Sequence, residues 1–466
     1  MSERSAPRRP WLPLSAALSV AILAVVVALG WDRSFWFDEV YTLGAAAVGR
    51  AQDWDIILRD VHPPTFTMLV RTWGEVVGGS TPALRAINLI GAAALALGLW
   101  IASKQLERGR FWLLVCLVLV NGYTLQLGLD LRSYALLLGL TFLAQALLLA
   151  EFSGKGAQTG WLILLAAILG SLHFFGTAAG LTILGVSALG HLRAGRIARA
   201  AVLGMACLVI GGAVLGFAFG IASASGQLGG INWIKTGPEP LLDFFAQQIL
   251  LVLLVFGLAL FRRSPSVDPA QRRIALWMLA VPGIVAGVTL LISLHTPVLT
   301  TRNLIVCVPG VSLAAVLLTP PALMQRLSAT PLLLIAVALV GIRVGDIATR
   351  NTQMIEWAIT TAAPAACDGA PIYVIRPSTV DKFAQEVFLG GIKRPQIELT
   401  SFSPDNAPLP PGCDMLAVGW HQIGEVSDVI AFFDSRGVRT EAILPPDTRL
   451  AKRAAMTSGF VIRVVP

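Results

Sequence analysis

The chain has 466 residues, of which 55% are hydrophobic and 13% charged, and its mean hydropathy is +0.73. A soluble domain carries about 25% charged residues, so this composition excludes a wholly soluble protein and indicates one that lies mostly in lipid. The formal net charge is +8. Its arginine and lysine clusters adjoin hydrophobic runs, as cytoplasmic loops of membrane proteins do, so we infer membrane lipids as partners and no nucleic acid.

The first hydrophobic run, residues 11–30, follows a basic start and has two interpretations. It is close to the ~20 residues that span a bilayer, whereas the apolar core of a secretory signal peptide is shorter. No clean small-residue cleavage site precedes the polar residues WDRSFWFDE. We interpret the run as an uncleaved first membrane helix.

Hydrophobic runs recur over the first three quarters of the chain and predict about eleven membrane helices. The predicted spans are 11–30, 83–102, 111–128, 133–151, 161–173, 176–191, 200–221, 241–261, 274–294, 304–322 and 331–347. An odd number of spans with the N-terminus inside places the C-terminal part outside, which for a bacterial inner membrane means periplasmic or extracellular. The short segment 161–173 is the least certain of these spans. If it were fused with its neighbour into one helix, every later loop would lie on the opposite side of the membrane.

The loop at 31–80 is the longest between the predicted spans and contains the strongest local signal, two adjacent carboxylates in Phe37-Asp38-Glu39-Val40-Tyr41. Acids beside a membrane helix are costly unless they are paired or functional. Asp38 and Glu39 are therefore candidates for a base and an orienting neighbour. The structural alternative is a pair of solvated acids that cap a helix in the membrane interface.

The same loop contains His62, which is followed by two prolines that stiffen the backbone, in Asp60-Val61-His62-Pro63-Pro64. A lone histidine is usually structural. An acid pair in the same loop favours a site role for His62. Segments 37–50 and 65–77 have the apolar spacing of short helices that lie in the interface plane.

Two further segments contain polar residues on the predicted exterior side. Arg132 and Tyr134 lie where the third and fourth spans meet, and Arg132 has an ordinary ion pair with an acid as its alternative explanation. His173 ends the marginal span at 161–173, where a histidine at the membrane interface is the structural alternative.

The last two candidates are cations. Lys235 lies in a second exterior loop near 222–240, and Arg302 lies at the exterior end of a span. The positive-inside rule asks for no cation at that end. Arg302 therefore indicates an anion to bind, such as a lipid phosphate.

From about residue 348 the hydrophobic runs stop, and the pattern becomes that of a small exterior α/β domain at 348–466. Residues 371–377, 415–420 and 438–444 read as strands, and 380–391 and 424–437 read as amphipathic helices. This alternation favours a partly parallel sheet with flanking helices. Cys367 and Cys413 lie in this domain, and the sequence leaves open whether they pair.

The motifs FWFDEVYT, DVHPPTFTMLV, LRSYALLL, HFFG and TRNLIVCVPG, in this order, resemble the GT-C superfamily of polyprenyl-phosphate-sugar glycosyltransferases. The branch that they resemble comprises bacterial relatives of protein O-mannosyltransferases and of the lipid A aminoarabinose transferase. The similarity covers roughly 11–345, so it implies a GT-C membrane domain at 1–347 and leaves the exterior domain without a match.

The resemblance implies an inverting transferase that moves a sugar from a polyprenyl (undecaprenyl) phosphate to an acceptor hydroxyl of a lipid, glycan or protein on the exterior face. Asp38 resembles the base that deprotonates the acceptor, and Glu39 its structural neighbour. Arg302 and Lys235 would hold the leaving phosphate. The sugar and acceptor cavity would be lined by His62, Arg132, Tyr134 and His173.

No metal is required for this chemistry, although some members of the superfamily bind one near the acids. His62 or His173 with Glu39 would be the ligands here, but the sequence lacks a tight ligand motif. An alternative function is a transporter or flippase of a lipid-linked sugar, since charges in membrane segments also mark transport pathways. A structural or signalling membrane protein is a third alternative, which leaves the acid pair and the His-Pro-Pro motif unexplained.

Overall fold

We analysed a computed structural model of the chain. It describes residues 35–49, 51, 54–58, 60, 62–119, 121, 124, 129–156, 158–225, 238–244, 267–294, 298–320, 372–374, 396–398, 415–419, 426–443 and 460–465. The chain divides into two compact units. The first unit comprises Met1–Leu29, Leu58–Phe66 and Ala86–Val344, and the second comprises Gly30–Ile57, Thr67–Arg85 and Gly345–Pro466.

The described part of the chain contains six helical segments that are long and apolar enough to cross a membrane. They are Thr81–Ser103, Tyr134–Phe152, Phe174–Arg193, Ile197–Gly220, Pro269–Ser293 and Thr301–Leu318. Each lies at a predicted span. The predicted spans 11–30 and 331–347, and most of 241–261, lie outside the described residues.

The main helices of the first unit follow one another in chain order. They are α5 (Asn88–Ser103), α6 (Arg108–Leu119), α7 (Tyr134–Phe152), α8 (Thr159–Leu172), α9 (Phe174–Arg193), α10 (Ile197–Ser225), α11 (Pro269–Ser293), a 3₁₀ helix (Thr301–Cys307) and α12 (Val308–Leu318). The short segment predicted at 161–173 is a separate helix, α8. His173 ends it in an extended conformation (φ −168°, ψ 145°) and so prevents fusion with α9.

Helix α7 lies at the centre of the first unit, since nearly all of its side chains are buried. It packs against α5 so closely that a Cβ added at Gly139 would collide with the carbonyl oxygen of Gly91, and one added at Gly91 with that of Ala135. Small residues at such crossings let two backbones approach, which is how helices gain packing energy in lipid.

The first unit has two ends that differ in the polar residues they contain. At the basic end, defined by Lys104, Arg108, Arg193 and Arg196, the rings of Phe152 on α7 and Trp277 on α11 are 5.7 Å apart. Arg110 lies at the same end but is buried, and its Nη2 donates to the carbonyl of Thr319 at 3.1 Å. This contact caps the C-terminus of α12.

The opposite end, which we call the histidine end, is defined by His62, Arg132 and His173. There Asn88 at the start of α5 donates through Nδ2 to the carbonyl of Asp130, just before α7, at 2.8 Å. The first unit thus separates its basic connections from the connections that carry the candidate site residues.

The second unit contains most of the first loop, whose helices are α1 (Phe37–Ala46), α2 (Trp54–Leu58) and α3 (Thr65–Val77). It also contains α4 (Thr81–Arg85), which begins the candidate span Thr81–Ser103. Arg71 on α3 donates to the carbonyls of Ala46 and Ala47 at 3.2 and 3.3 Å, which caps the C-terminus of α1. The Nε1 atom of Trp73 donates to the carbonyl of Ala83 at 2.7 Å. Helices α1 and α3 confirm the helical pattern predicted at 37–50 and 65–77.

The C-terminal part of the second unit contains a five-stranded sheet of order β2-β1-β3-β5-β4. The strands are β1 (Ile372–Val374), β2 (Gln396–Glu398), β3 (Met415–Gly419), β4 (Arg439–Ile443) and β5 (Phe460–Val465), and helix α13 is Val426–Asp434. Strand β1 pairs in parallel with β2 and β3, whereas β5 pairs antiparallel with β3 and β4.

Strands β1, β3 and β4 and helix α13 lie within segments predicted from the sequence. Strands β2 and β5 were not predicted, although the β-branched run FVIRVV at 460–465 is a strand signal. The predicted helix 380–391, Cys367 and Cys413 lie outside the described residues. The extent of the domain at 348–466 therefore stays a prediction.

Candidate active site

The acid pair lies at the start of α1, and its two members have different surroundings. Glu39 is fully buried, and both of its carboxylate oxygens contact Arg85, with Nε to Oε1 at 3.0 Å and Nη2 to Oε2 at 2.8 Å. Oε2 also accepts a hydrogen bond from the backbone N–H of Trp36 at 3.0 Å. Glu39 is thus held by an ion pair and by a helix-capping contact.

Asp38 precedes Glu39 in the first turn of α1 and is partly exposed. Its carbonyl oxygen accepts a hydrogen bond from Thr42 Oγ1 at 2.9 Å. Successive residues of an α-helix point about 100° apart, so the two carboxylates do not share one direction. The geometry gives Glu39 a structural environment and leaves Asp38 the more accessible acid of the two.

A second group of candidate residues comes together at the histidine end of the first unit, and we call it the histidine cluster. It comprises His62, Arg132, Tyr134 and His173. Arg132 Nη2 lies 3.1 Å from His62 Nε2. The ring centroids of His62 and His173 are 4.6 Å apart, and those of Tyr134 and His173 are 6.2 Å apart.

Local structure holds each member of the cluster. The backbone N–H of His62 donates to Asp60 Oδ1 at 3.3 Å, and Pro63 and Pro64 follow. Arg132 lies in a tight turn, where its N–H donates to the carbonyl of Asp130 at 2.7 Å. His173 is the N-cap of α9, and its Nδ1 accepts from the N–H of Phe175 at 3.1 Å.

These contacts determine which nitrogen of each imidazole carries the proton. A guanidinium has only N–H donors, so His62 Nε2 accepts from Arg132 and the proton of a neutral His62 is on Nδ1. His173 Nδ1 accepts from a backbone N–H, so its proton is on Nε2. Both His62 Nδ1 and His173 Nε2 are buried and have no hydrogen-bond partner in the described structure.

Both imidazoles are neutral at physiological pH. Burial lowers the pKa of His62 well below its usual value, and electrostatic interactions with His173, Arg132 and Arg302 lower it further. Burial, with the charges of Arg132 and Arg302, lowers the pKa of His173 to about 3. The cluster therefore presents two neutral N–H donors beside cationic groups, which suits a ligand that is rich in acceptor oxygens.

The structure thus brings together five residues singled out from the sequence, since Arg302 acts electrostatically on both histidines. Asp38 and Glu39 belong to the second unit, whereas the histidine cluster and Arg302 belong to the first. Lys235 lies outside the described residues. Sequence analysis missed Arg85, although an arginine at the exterior end of a predicted span is the same signal that identified Arg302.

The described side chains offer little for the metal considered above. Glu39 has both oxygens on Arg85, and His62 directs its lone pair at Arg132. A histidine ligand needs a free ring lone pair. Among the described residues no group of three histidine, cysteine or acidic side chains is arranged to hold an ion. The described donor set does not fit a metal, so the reaction proposed below uses none.

A cavity of about 790 Å³ lies at the basic end, where Glu151, Arg196 and Arg199 line it with glycines. The Glu151 carboxylate has structural partners there, because it accepts from Ser187 Oγ at 2.6 Å and from the N–H of Gln158 at 2.9 Å. We assign no chemistry to this cavity.

Comparison with known proteins identifies the fold. No family model matches the sequence, and no curated protein matches it. Among solved structures, the chain is similar to ArnT from Cupriavidus metallidurans in the apo state, with a TM-score of 0.60, 12% identity and 98% of each chain covered. It is also similar to the same protein bound to undecaprenyl phosphate, with a TM-score of 0.59, 13% identity and 98% of each chain covered.

Arabinofuranosyltransferase AftD from Mycobacteria aligns with 99% of this chain but only 40% of its own, with a TM-score of 0.43 and 14% identity. The ArnT alignments cover nearly the whole length of both chains, so they define the class of the fold. The chain therefore shares the fold of ArnT.

Proposed function

We propose that this protein is an inverting glycosyltransferase that moves a sugar from a polyprenyl phosphate, such as undecaprenyl phosphate, to an acceptor hydroxyl at the exterior face of the membrane. The observation that carries the proposal is the histidine cluster, whose unpartnered N–H groups and cationic neighbours suit a phosphorylated sugar. Undecaprenyl phosphate bound to ArnT, a protein of the same fold, supports a donor of this class.

The reaction needs one base and a stabilised leaving group. In our proposal Asp38 accepts the proton of the acceptor hydroxyl while the acceptor oxygen bonds to the anomeric carbon. The bond from that carbon to the phosphate oxygen breaks on the opposite face, which inverts the anomeric centre. Both electrons of the broken bond leave with polyprenyl phosphate, and the proton stays on Asp38 until it is lost to water.

The other candidate residues bind the donor and the acceptor. Arg302, with Lys235, holds the phosphate, because charge-assisted hydrogen bonds to a phosphate oxygen stabilise the charge that develops as the bond breaks. His62, Arg132, Tyr134 and His173 line the sugar and acceptor cavity. Neutral imidazole N–H groups suit sugar oxygens, since they donate hydrogen bonds without a compensating proton uptake.

The sugar transferred and the acceptor class, whether lipid, glycan or protein, follow from neither the fold nor the cluster. Location in a bacterial inner membrane with the C-terminal domain periplasmic or extracellular is part of the same proposal. The basic clusters at one end of the first unit support that orientation through the positive-inside rule.

The experiment is a transfer assay with purified protein in lipid nanodiscs and a panel of undecaprenyl-phosphate sugars. Release of free undecaprenyl phosphate is expected with at least one donor. A transporter or flippase would move the donor across a bilayer without cleaving it, so translocation with the donor intact would contradict the proposal.

Arg302→Ala provides the sharper test of the leaving-group contact. Loss of a charge-assisted contact of about 1.5–3 kcal/mol predicts a fall in donor turnover of roughly ten- to a hundredfold. Arg199→Ala removes the same charge from an exposed site at the basic end and is expected to leave turnover unchanged. Equal turnover in the two variants would remove Arg302 from the site.

A further inference from the structure

Arg85 is a buried arginine that the proposed reaction does not use. It ends α4, and only 4% of its side chain is exposed. Its guanidinium makes a two-point contact with Glu39, a residue 46 positions earlier, and lies 5.0 Å from the centre of the Phe35 ring. All of these residues belong to the second unit.

The contact continues through Glu39 to the backbone. Glu39 Oε2 accepts both from Arg85 Nη2 at 2.8 Å and from the N–H of Trp36 at 3.0 Å. The N–H of Trp36 and the guanidinium of Arg85 are therefore both bound to the Glu39 carboxylate, and Asp38 lies between residues 36 and 39 in the chain. The planar fork of arginine matches a carboxylate in one orientation only, so the tie sets the direction in which the first turn of α1 points.

Stability alone does not account for this pair. Removing two charges from water costs several kcal/mol for each ion, and an apolar pair of the same volume is often as stable or more so. What an apolar pair would not supply is a single orientation of the helix start. A base must lie within hydrogen-bond reach of its proton, and a displacement of about 1 Å can reduce a rate roughly a hundredfold.

We propose that Arg85 is a positioning residue for Asp38, acting through Glu39 and the backbone of Trp36. The proposal rests on the proposed function, in which Asp38 is the base. Arg85 does not touch the substrate. It holds the first turn of α1 so that Asp38 meets the acceptor hydroxyl in one geometry.

The experiment compares Arg85→Lys with wild-type protein in the transfer assay and in hydrogen exchange. Lysine keeps the charge but loses the two-point contact. We expect kcat to fall roughly ten- to a hundredfold while the donor KM changes little, and amide exchange across residues 36–42 to become faster. Arg71→Lys is the matched control, since Arg71 caps the other end of α1 and is expected to spare kcat.

The double variant Arg85→Met with Glu39→Gln separates positioning from folding. It removes both charges of the described Arg85–Glu39 pair, so its thermal unfolding midpoint is expected to approach that of wild type while kcat stays low. Recovery of both the midpoint and kcat would show a merely structural pair and overturn the proposal. Normal kcat and unchanged exchange in Arg85→Lys would also overturn it.

Failure of the proposed function gives a different result. Wild-type protein would then transfer no sugar from any donor, while exchange across residues 36–42 would still rise in Arg85→Lys. That outcome would show that Arg85 orders the start of α1 through Glu39, and it would contradict a role of this contact in catalysis.

Discussion

Asp38 is the residue on which the proposed chemistry depends most directly. Asp38→Asn keeps the size of the side chain but cannot accept a proton, so transfer should slow by the ~10²–10⁴-fold typical of lost general-base catalysis. Folding should change little, because Asp38 is partly exposed. The measurement is transfer rate at matched protein amounts.

Glu39→Gln is the companion variant, and it should behave differently. It leaves the buried Arg85 guanidinium without its carboxylate, so we expect a lower unfolding midpoint together with reduced activity. Near-normal transfer by well-folded Asp38→Asn would contradict the assignment of the base. Small losses in both variants that follow protein abundance would indicate a structural acid pair.

His173 leads to a second prediction, which is that the folded protein loses stability as the pH falls. Its pKa is about 3 in the folded protein and about 6.5 when exposed. Between these values the unfolded state binds more protons, so stability falls as pH falls, by up to about 1.4 kcal/mol for each pH unit. His62 acts in the same direction.

His173→Asn removes the titrating group and keeps an N-cap that accepts from a backbone N–H. We therefore expect the unfolding midpoint of the variant to fall less than that of wild type when pH is lowered from 7 to 5. The measurement is thermal unfolding in detergent across that range. Equal losses in the two proteins would show that His173 is not buried in its neutral form.

At the scale of elements, the crossing of α5 and α7 requires glycine at position 139. A methyl group there would collide with the carbonyl of Gly91, so Gly139→Ala must force the helices apart. Overpacking of this kind costs about 1–3 kcal/mol. Gly185→Ala on α9 is the matched control, because a Cβ at Gly185 meets no atom within 4 Å.

The expected result is a lower unfolding midpoint for Gly139→Ala and an unchanged or slightly higher one for Gly185→Ala, since alanine favours helix. Intrinsic tryptophan fluorescence during heating would measure both. Equal midpoints would mean that α5 and α7 are farther apart than described.

The histidine cluster shows why the helices could be predicted from the sequence, whereas the contacts between their residues could not. The apolar runs of α5, α7, α9 and α11 predict helices from composition alone, because a helix satisfies its own backbone hydrogen bonds in lipid. His62 and Arg132 are 70 residues apart in sequence. Their contact depends on how the helices pack, which no local pattern encodes.

At the scale of the whole molecule, basic clusters alternate with loops that contain acids and histidines, and this alternation predicts one orientation in the membrane. The loop at 31–80 and Cys367 should both be accessible from outside the cell. A membrane-impermeant maleimide applied to intact cells tests the second site. Labelling of Cys367 only after permeabilisation would show that the number of spans between them was miscounted.

The sequence by itself indicated a multi-pass membrane protein and predicted the approximate position of the six described membrane helices. It also singled out most of the candidate residues, whose roles stay predictions. These follow from composition and period, which act locally: apolar runs become helices, and polar residues that interrupt them stand out. The start of α1 was also predictable from its two acids near the first span.

Only the tertiary structure decided what those residues contact. It showed that Glu39 is held by Arg85, that His62 accepts from Arg132, and that both histidines keep a buried N–H without a described partner. Burial and neighbouring charges, which set the neutral state of both imidazoles, arise only when distant segments pack together. A buried charge needs a partner, and chain folding rather than local sequence determines which residue that partner is.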